Sequence, residues 1–185
     1  MSMPAALDRF YTREEVLAFP EDGNRYELVH GELLVSPAPR ARHQRAVGDL
    51  YFALRTFLGE HRAGEVLMSP ADISWGGLPD VLVQPDLFVV PPQLGRVRDW
   101  LEVEQLSLVI EVLSPSTARH DRFTKRRLYQ EMQVPLYWLI DLDARRAEVW
   151  TPEATFPVIE TRVLTWQPAA AAASFTLALE TLFQD

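Results

Sequence analysis

Leu106-Ser107-Leu108-Val109-Ile110-Glu111-Val112-Leu113 is the stretch that decides how this chain folds. Its apolar residues run on without alternation, the pattern of a strand covered on both faces, and Ser114-Pro115 stops it. A carboxylate inside such a run is strongly disfavoured unless it is paired or sits at a cleft. Glu111 therefore marks a polar point in an apolar sheet. Immediately upstream, Val81-Leu82-Val83-Gln84-Pro85-Asp86-Leu87-Phe88-Val89-Val90 repeats the situation with Asp86 and is stopped by Pro91-Pro92. Strands consecutive in sequence are usually neighbours in space, so the two acids are expected side by side. Each either pairs with an arginine or shares a cation with the other.

Working outward, Glu65 to Trp75 reads as a further strand closed by Gly76-Gly77. Downstream, a helix is predicted from Thr117 or Asp121 to Gln133. Beyond Pro135, Leu136 to Ile140 is a strand, and the turn Asp141-Leu142-Asp143-Ala144 leads into Ala147 to Trp150. The tail is expected to be β-rich up to Trp166. Past the small low-complexity patch Ala169 to Ala173, it closes with a strand or a helix.

Nearer the N-terminus, Thr12-Arg13-Glu14-Glu15 has the capping-box spacing and opens a short helix that Pro20 ends. Arg25 to Val29 and Glu32 to Val35 flank His30-Gly31, a two-residue hairpin turn. After Pro37 and Pro39, the residues Val47, Leu50, Tyr51, Leu54, Phe57 and Leu58 recur at helical spacing and predict a long amphipathic helix ending near Gly64. The fold class is a mixed α/β (α+β) domain, one central sheet with helices on its faces, preceded by a short helix and a hairpin. No internal repeat or long linker divides residues 1–185, so one domain is expected.

Composition narrows the function classes. With 185 residues, 48% hydrophobic and 24% charged, the chain has globular proportions and can bury a core unaided. It has no cysteine, which excludes disulfide scaffolds, thiol nucleophiles and thiolate metal sites. No stretch approaches the ~18 apolar residues of a membrane helix, and Met1 to Phe10 shows no leader pattern. The expectation is a cytoplasmic protein without a membrane partner. Net charge is −8, yet the positive charge is concentrated. Residues 40–45 hold Arg40, Arg42 and Arg45 without an acid, and residues 119–127 hold Arg119, Arg122, Lys125, Arg126 and Arg127 against Asp121. Such segments are either solvated helix faces or a local anion-binding surface.

Lys125, Leu128, Tyr129 and Met132 share one face of the predicted second helix. A lysine on that inward stripe either snorkels to the rim or points into a polar site next to the Glu111 strand.

These residues resemble a known set. Pro85-Asp86 followed by Glu111 in an apolar strand is similar to the PD-(D/E)xK signature of the restriction-endonuclease-like nucleases. The wider pattern is Arg25-Tyr26-Glu27-Leu28 with Gly31-Glu32-Leu33, Arg42-His43-Gln44, Gln84-Pro85-Asp86-Leu87 and Glu111-Val112-Leu113-Ser114-Pro115-Ser116-Thr117. It continues with Asp121-Arg122, Lys125, Tyr129 and Pro135 to Asp141. Together these resemble the Uma-two family of bacterial endonucleases, over about residues 10 to 152. The third signature position is Leu113 instead of lysine. The resemblance implies that the lysine has moved to the following helix as Lys125.

What the resemblance implies is a metal-dependent endonuclease acting on nucleic acid, DNA foremost. Mg2+ or Mn2+ would be held by Asp86, Glu111 and the backbone carbonyl of Val112. Lys125 would orient or deprotonate the nucleophile or neutralise the transition state. Glu27, His43 and Asp121 are second candidates: Glu27 as a further carboxylate or an outward strand residue, His43 as a phosphate or metal contact or a surface residue, Asp121 as partner of Lys125 or helix cap. Arg40, Arg42, Arg45, Arg119, Arg122 and Arg126 would contact the phosphate backbone. A homodimer is compatible with cutting two strands. The competing expectation is a catalytically inert module of the same fold that binds nucleic acid or protein.

Overall fold

In the computed structural model, which describes residues 9–100 and 103–184, Thr12 caps α1 (Arg13–Leu17) through the reciprocal bonds its spacing predicts. Glu15 N donates to Thr12 Oγ1 at 3.3 Å, and Thr12 N donates to Glu15 Oε2 at 2.9 Å. Residues 1–8, most of the stretch in which a leader was sought, lie outside the described residues. The hairpin β1 (Arg25–Val29) and β2 (Glu32–Ser36) turns at His30 and Gly31, with φ of 49° and 80°. A two-residue loop that matches the strand twist requires positive φ at both positions, which glycine adopts freely.

The long helix α2 (Ala41–His61) buries Ala46, Val47, Leu50, Leu54 and Leu58 along one stripe. Each of the three leucines contributes roughly 1.5–3 kcal/mol by leaving water. The helix ends where Arg62 turns left-handed at φ 52°, close to the predicted stop at Gly64. A sheet of six strands follows: β3 (Glu65–Met68), β4 (Leu87–Val90), β5 (Leu108–Val112), β6 (Tyr137–Asp141), β7 (Arg146–Trp150) and β8 (Val158–Glu160), adjacent in that order. The β5–β6 pair is parallel and the other pairs are antiparallel. The crossover between the parallel strands carries a π-helical segment (His120–Lys125) continuing into α3 (Arg126–Glu131).

Strand alternation divides the core between the two faces. Leu108, Ile110 and Val112 pack with α2, whereas Val109 packs with Leu128 and Tyr129 of α3 and with Val29 and Leu34 of the hairpin. The tail forms a ribbon of β9 (Val163–Trp166) and β10 (Phe175–Ala178). Its Phe175 stacks on Trp138 with ring centroids 6.2 Å apart and meets Phe57 of α2 edge-on.

Three expectations are corrected. The strand predicted from Glu65 to Trp75 stops at Met68, because Pro70 has no amide to continue the ladder. The run Val81 to Val90 is two pieces. Leu82 bridges to Leu28 and Val83 to Ile73, and after Gln84-Pro85 the chain re-enters the main sheet as β4. The second helix starts as a π-helix and ends at Glu131 instead of Gln133.

Candidate active site

The break at Gln84-Pro85 positions Asp86. Leu87 pairs with Ile110 and Phe88 with Val109, so the next step of this antiparallel register sets Asp86 against Glu111. By the same alternation both side chains leave the sheet on the face that carries Phe88 and Val109. The two residues are cross-linked: Asp86 N donates to Glu111 Oε2 at 3.2 Å, and Val112 N donates to Asp86 Oδ2 at 2.9 Å. Ser69 fixes the turn from below. Its hydroxyl donates to the carbonyls of Gln84 and Pro85, and its amide to that of Asp86.

Lys125 arrives from the last position of the π-helical segment. Residues four apart share a helix face, and Asp121, Lys125 and Tyr129 are all buried on one such face. The Lys125 ammonium lies 2.5 Å from Glu111 Oε1, 2.9 Å from Glu27 Oε1 and 3.4 Å from Asp121 Oδ1. Glu27 is not an outward strand residue: it is 3% exposed and also accepts from Gln84 N at 2.8 Å. His43, in the first turns of α2, brings Nε2 within 3.0 Å of Asp86 Oδ2.

Arg25 is the residue that sequence reasoning missed as a site residue. Its Nη1 donates to Asp86 Oδ1 and to the Gln84 carbonyl, each at 3.0 Å. Its signal was present in its position on the same strand as Glu27, two residues away and so on the same face.

Burial is the largest influence on Arg25, Asp86, Glu111, Asp121 and Lys125. For Asp86 it is outweighed by the hydrogen bond and charge of His43, then by the Arg25 guanidinium and the Val112 amide, and the carboxyl lies well below the usual carboxylate range. Glu111 moves the other way. Burial pushes it well up, Lys125 offsets only part, and the charges of Asp86, Asp121 and Glu27 add to the rise. Burial also raises Asp121 against the pull of Lys125. Lys125 itself would be lowered by burial, but Glu111, Glu27 and Asp121 together hold it well above the ordinary lysine value. It is a firmly charged ammonium among carboxylates.

These groups line a cavity of about 200 Å³ together with Arg40, Ser114, Ser116 and Thr117. Glu27, Asp86, Glu111 and Asp121 are all buried, against the cations Lys125 and Arg25. Arg40 on the lining adds a third cation, so with all four acids ionised the pocket carries a formal excess of one negative charge. Glu111 Oε1 has Lys125 beside it but accepts no well-directed hydrogen bond. Among the described residues no group of three or more His, Asp or Glu side chains is preformed as a metal cage. An all-oxygen donor set with an excess of negative charge nevertheless fits a hard dication. Mg2+ is commonly held by one or two carboxylates, with water and substrate phosphate completing its shell.

The family described as Uma2, "Putative restriction endonuclease", matches residues 13–180. The chain belongs to the Uma2 family. The fold agrees with a crystal structure described as "a putative nuclease belonging to DUF820" from Anabaena variabilis. That structure is 21% identical, with a TM-score of 0.73 over 94% of this chain and 97% of that one. No curated protein matches the chain.

Within this Uma2 chain, the six arginines expected from the resemblance to contact phosphate have different surroundings. Arg40 lines the cavity. Arg42 instead ties α2 to the β6–β7 turn, donating to Asp143 Oδ1 and the Leu142 carbonyl at 2.8 Å each. Arg122 is held by Asp141 at 2.6 Å and Glu148 at 2.8 Å. Arg126 lies over the Trp150 ring at 4.6 Å and donates to Gln130. These three serve internal contacts, which a charge count cannot distinguish from free cations. Arg45 and Arg119 are exposed. Among the described residues no helix is long and apolar enough to cross a membrane.

Proposed function

We propose that the cavity is the active site of a divalent-metal-dependent endonuclease that hydrolyses phosphodiester bonds in nucleic acid, DNA foremost. The observation that carries this reading is the convergence of Asp86 and Glu111 from adjacent strands on one cavity, with the Lys125 ammonium 2.5 Å from Glu111. Asp86, Glu111 and the carbonyl of Val112 would hold Mg2+ or Mn2+. When bound, such an ion polarises the phosphoryl oxygen and lowers the pKa of coordinated water. Lys125, kept charged by its three carboxylate neighbours, is suited to neutralising charge that develops on the phosphate and poorly suited to accepting a proton. Asp121 and Glu27 hold that ammonium in place. Arg25 and His43 orient the Asp86 carboxylate. Arg40 and the hydroxyls of Ser114, Ser116 and Thr117 stand on the cavity lining, where they can bind phosphate oxygens.

A second reading has its own support. Asp86 is already paired with Arg25 and His43, and Glu111 with Lys125, as in an inert module that keeps only the fold. Calorimetric titration with Mn2+, followed by incubation of circular plasmid with the protein and Mg2+ or Mn2+, separates the two. The endonuclease reading predicts Mn2+ binding and chelator-sensitive nicking. Absence of both supports the inert module.

A further inference from the structure

The face of the π-helical segment opposite the cavity carries a second set of residues that the proposed chemistry does not use. The same spacing of four that aligns Asp121, Lys125 and Tyr129 inward aligns Arg119, Phe123 and Arg127 outward. Arg119 and Arg127 are exposed, and Phe123 is 55% exposed. With His120, Thr124 and Glu32 they line a shallow cavity of about 520 Å³. Among the described residues neither Arg119 nor Arg127 has a carboxylate within ion-pair distance, in contrast to Arg122 on the same segment. Glu32 supplies the cavity's one carboxylate. The arrangement sets a half-exposed aromatic ring between two exposed guanidinium groups on a chain of net charge −8. It has the composition of a base-stacking platform with flanking phosphate contacts.

We propose that Arg119, Phe123 and Arg127 form a binding track for single-stranded nucleic acid, with Phe123 stacking on an unpaired base and the two arginines contacting the adjoining phosphates. This rests on the endonuclease reading for its biological sense. Thr117 of the cavity lining lies two residues before Arg119, so one short segment of chain links the site to the track. A single strand suits the arrangement because bases in a duplex are stacked on one another and offer a side chain no open face. Phosphates alone would make no use of an exposed ring.

The test measures binding apart from cleavage. Fluorescence anisotropy in EDTA follows labelled oligonucleotides of about 16 nucleotides as single-stranded DNA, single-stranded RNA and duplex. Phe123→Ala is expected to weaken single-strand binding about tenfold, with little effect on duplex, and Phe123→Tyr to retain wild-type affinity. Arg119→Ala and Arg127→Ala should each reduce the salt dependence, the slope of log K against log salt, by about 0.7. The DNA and RNA arms identify which strand is preferred. The track is overturned if the wild type binds no single strand, if Phe123→Ala binds like the wild type, or if Phe123→Leu serves as well as Phe123→Tyr. Plasmid nicking by the same preparations judges the endonuclease reading separately. Asp86-dependent nicking with Phe123-independent binding removes only the track, and Phe123-dependent binding without nicking removes only the catalytic proposal.

Discussion

The Lys125 ammonium stands 2.5 Å from Glu111 Oε1, although the position two after Glu111 is Leu113. Leu113 lies on the end of the β5 run, where its side chain joins the apolar core under α3. The cation beside Glu111 is delivered instead by the crossover that leads to β6. The π-helical segment carries Asp121 and Lys125 on one buried face. A charged group supplied from the helix is also held by residues from the hairpin. Glu27 and Lys125 meet across 98 positions of sequence.

Because Lys125 is the shared partner of three buried acids, Lys125→Met should be strongly destabilising even though it keeps an unbranched side chain only one atom shorter. Removing one member of a buried ionic group leaves the others uncompensated, at a cost of about 3–5 kcal/mol. Urea denaturation at neutral pH checks this through a lower midpoint at unchanged m-value.

Arg122 gives a different and milder result. It bridges Asp141 of β6 and Glu148 of β7, away from the cavity, and is partly exposed. Because Glu148 is buried, Arg122→Ala is expected to cost about 2 kcal/mol and to leave nicking intact under conditions where the protein stays folded. Its signature is in the pH dependence. Burial works to raise Asp141, but the Ala144 amide and Arg122 outweigh it, and the folded carboxyl sits below its ordinary value. A lowered folded pKa means the pair stabilises at pH above the unfolded value and loses that contribution as pH falls through the folded one. The stability gap between wild type and variant should hold from about pH 8 to about pH 5 and narrow below about pH 4.

Gly64 connects α2 to β3 at φ +123°, and a Cβ built there would lie 2.4 Å from the backbone carbonyl oxygen of Val90. That oxygen belongs to β4 and cannot rotate aside. Gly64→Ala should lower stability by at least ~2 kcal/mol through combined backbone strain and steric clash, measured by thermal unfolding. Gly48→Ala on α2, where a Cβ meets nothing, serves as the neutral or mildly stabilising control.

Much of the fold was legible because local chemistry dictates it. Thr12 and Glu15, the His30-Gly31 turn and the leucine stripe of α2 each need only neighbours a few residues away. The pairing of Asp86 with Glu111 was readable from two apolar runs interrupted by single acids. What the sequence could not disclose depends on distant partners. Pro85 splits one apolar run into a bridged segment and a strand whose mates, Leu28 and Leu87's partner Ile110, are far apart in the chain. Arg25 meets Asp86 across 61 positions, and Arg122 meets Glu148 across 26. The π-helical turn has no composition of its own, because its inward acid and lysine match an ordinary helix as well.

The central claim is that Asp86, Glu111 and Lys125 act as one hydrolytic centre. Its most direct test is the rate of plasmid nicking in Mg2+ or Mn2+ by wild type, Asp86→Asn, Glu111→Gln and Lys125→Gln, each first confirmed as folded by circular dichroism. The account predicts that every variant that folds nicks at least about 100-fold more slowly than wild type. Nicking at the wild-type rate by folded Glu111→Gln or Lys125→Gln would contradict it.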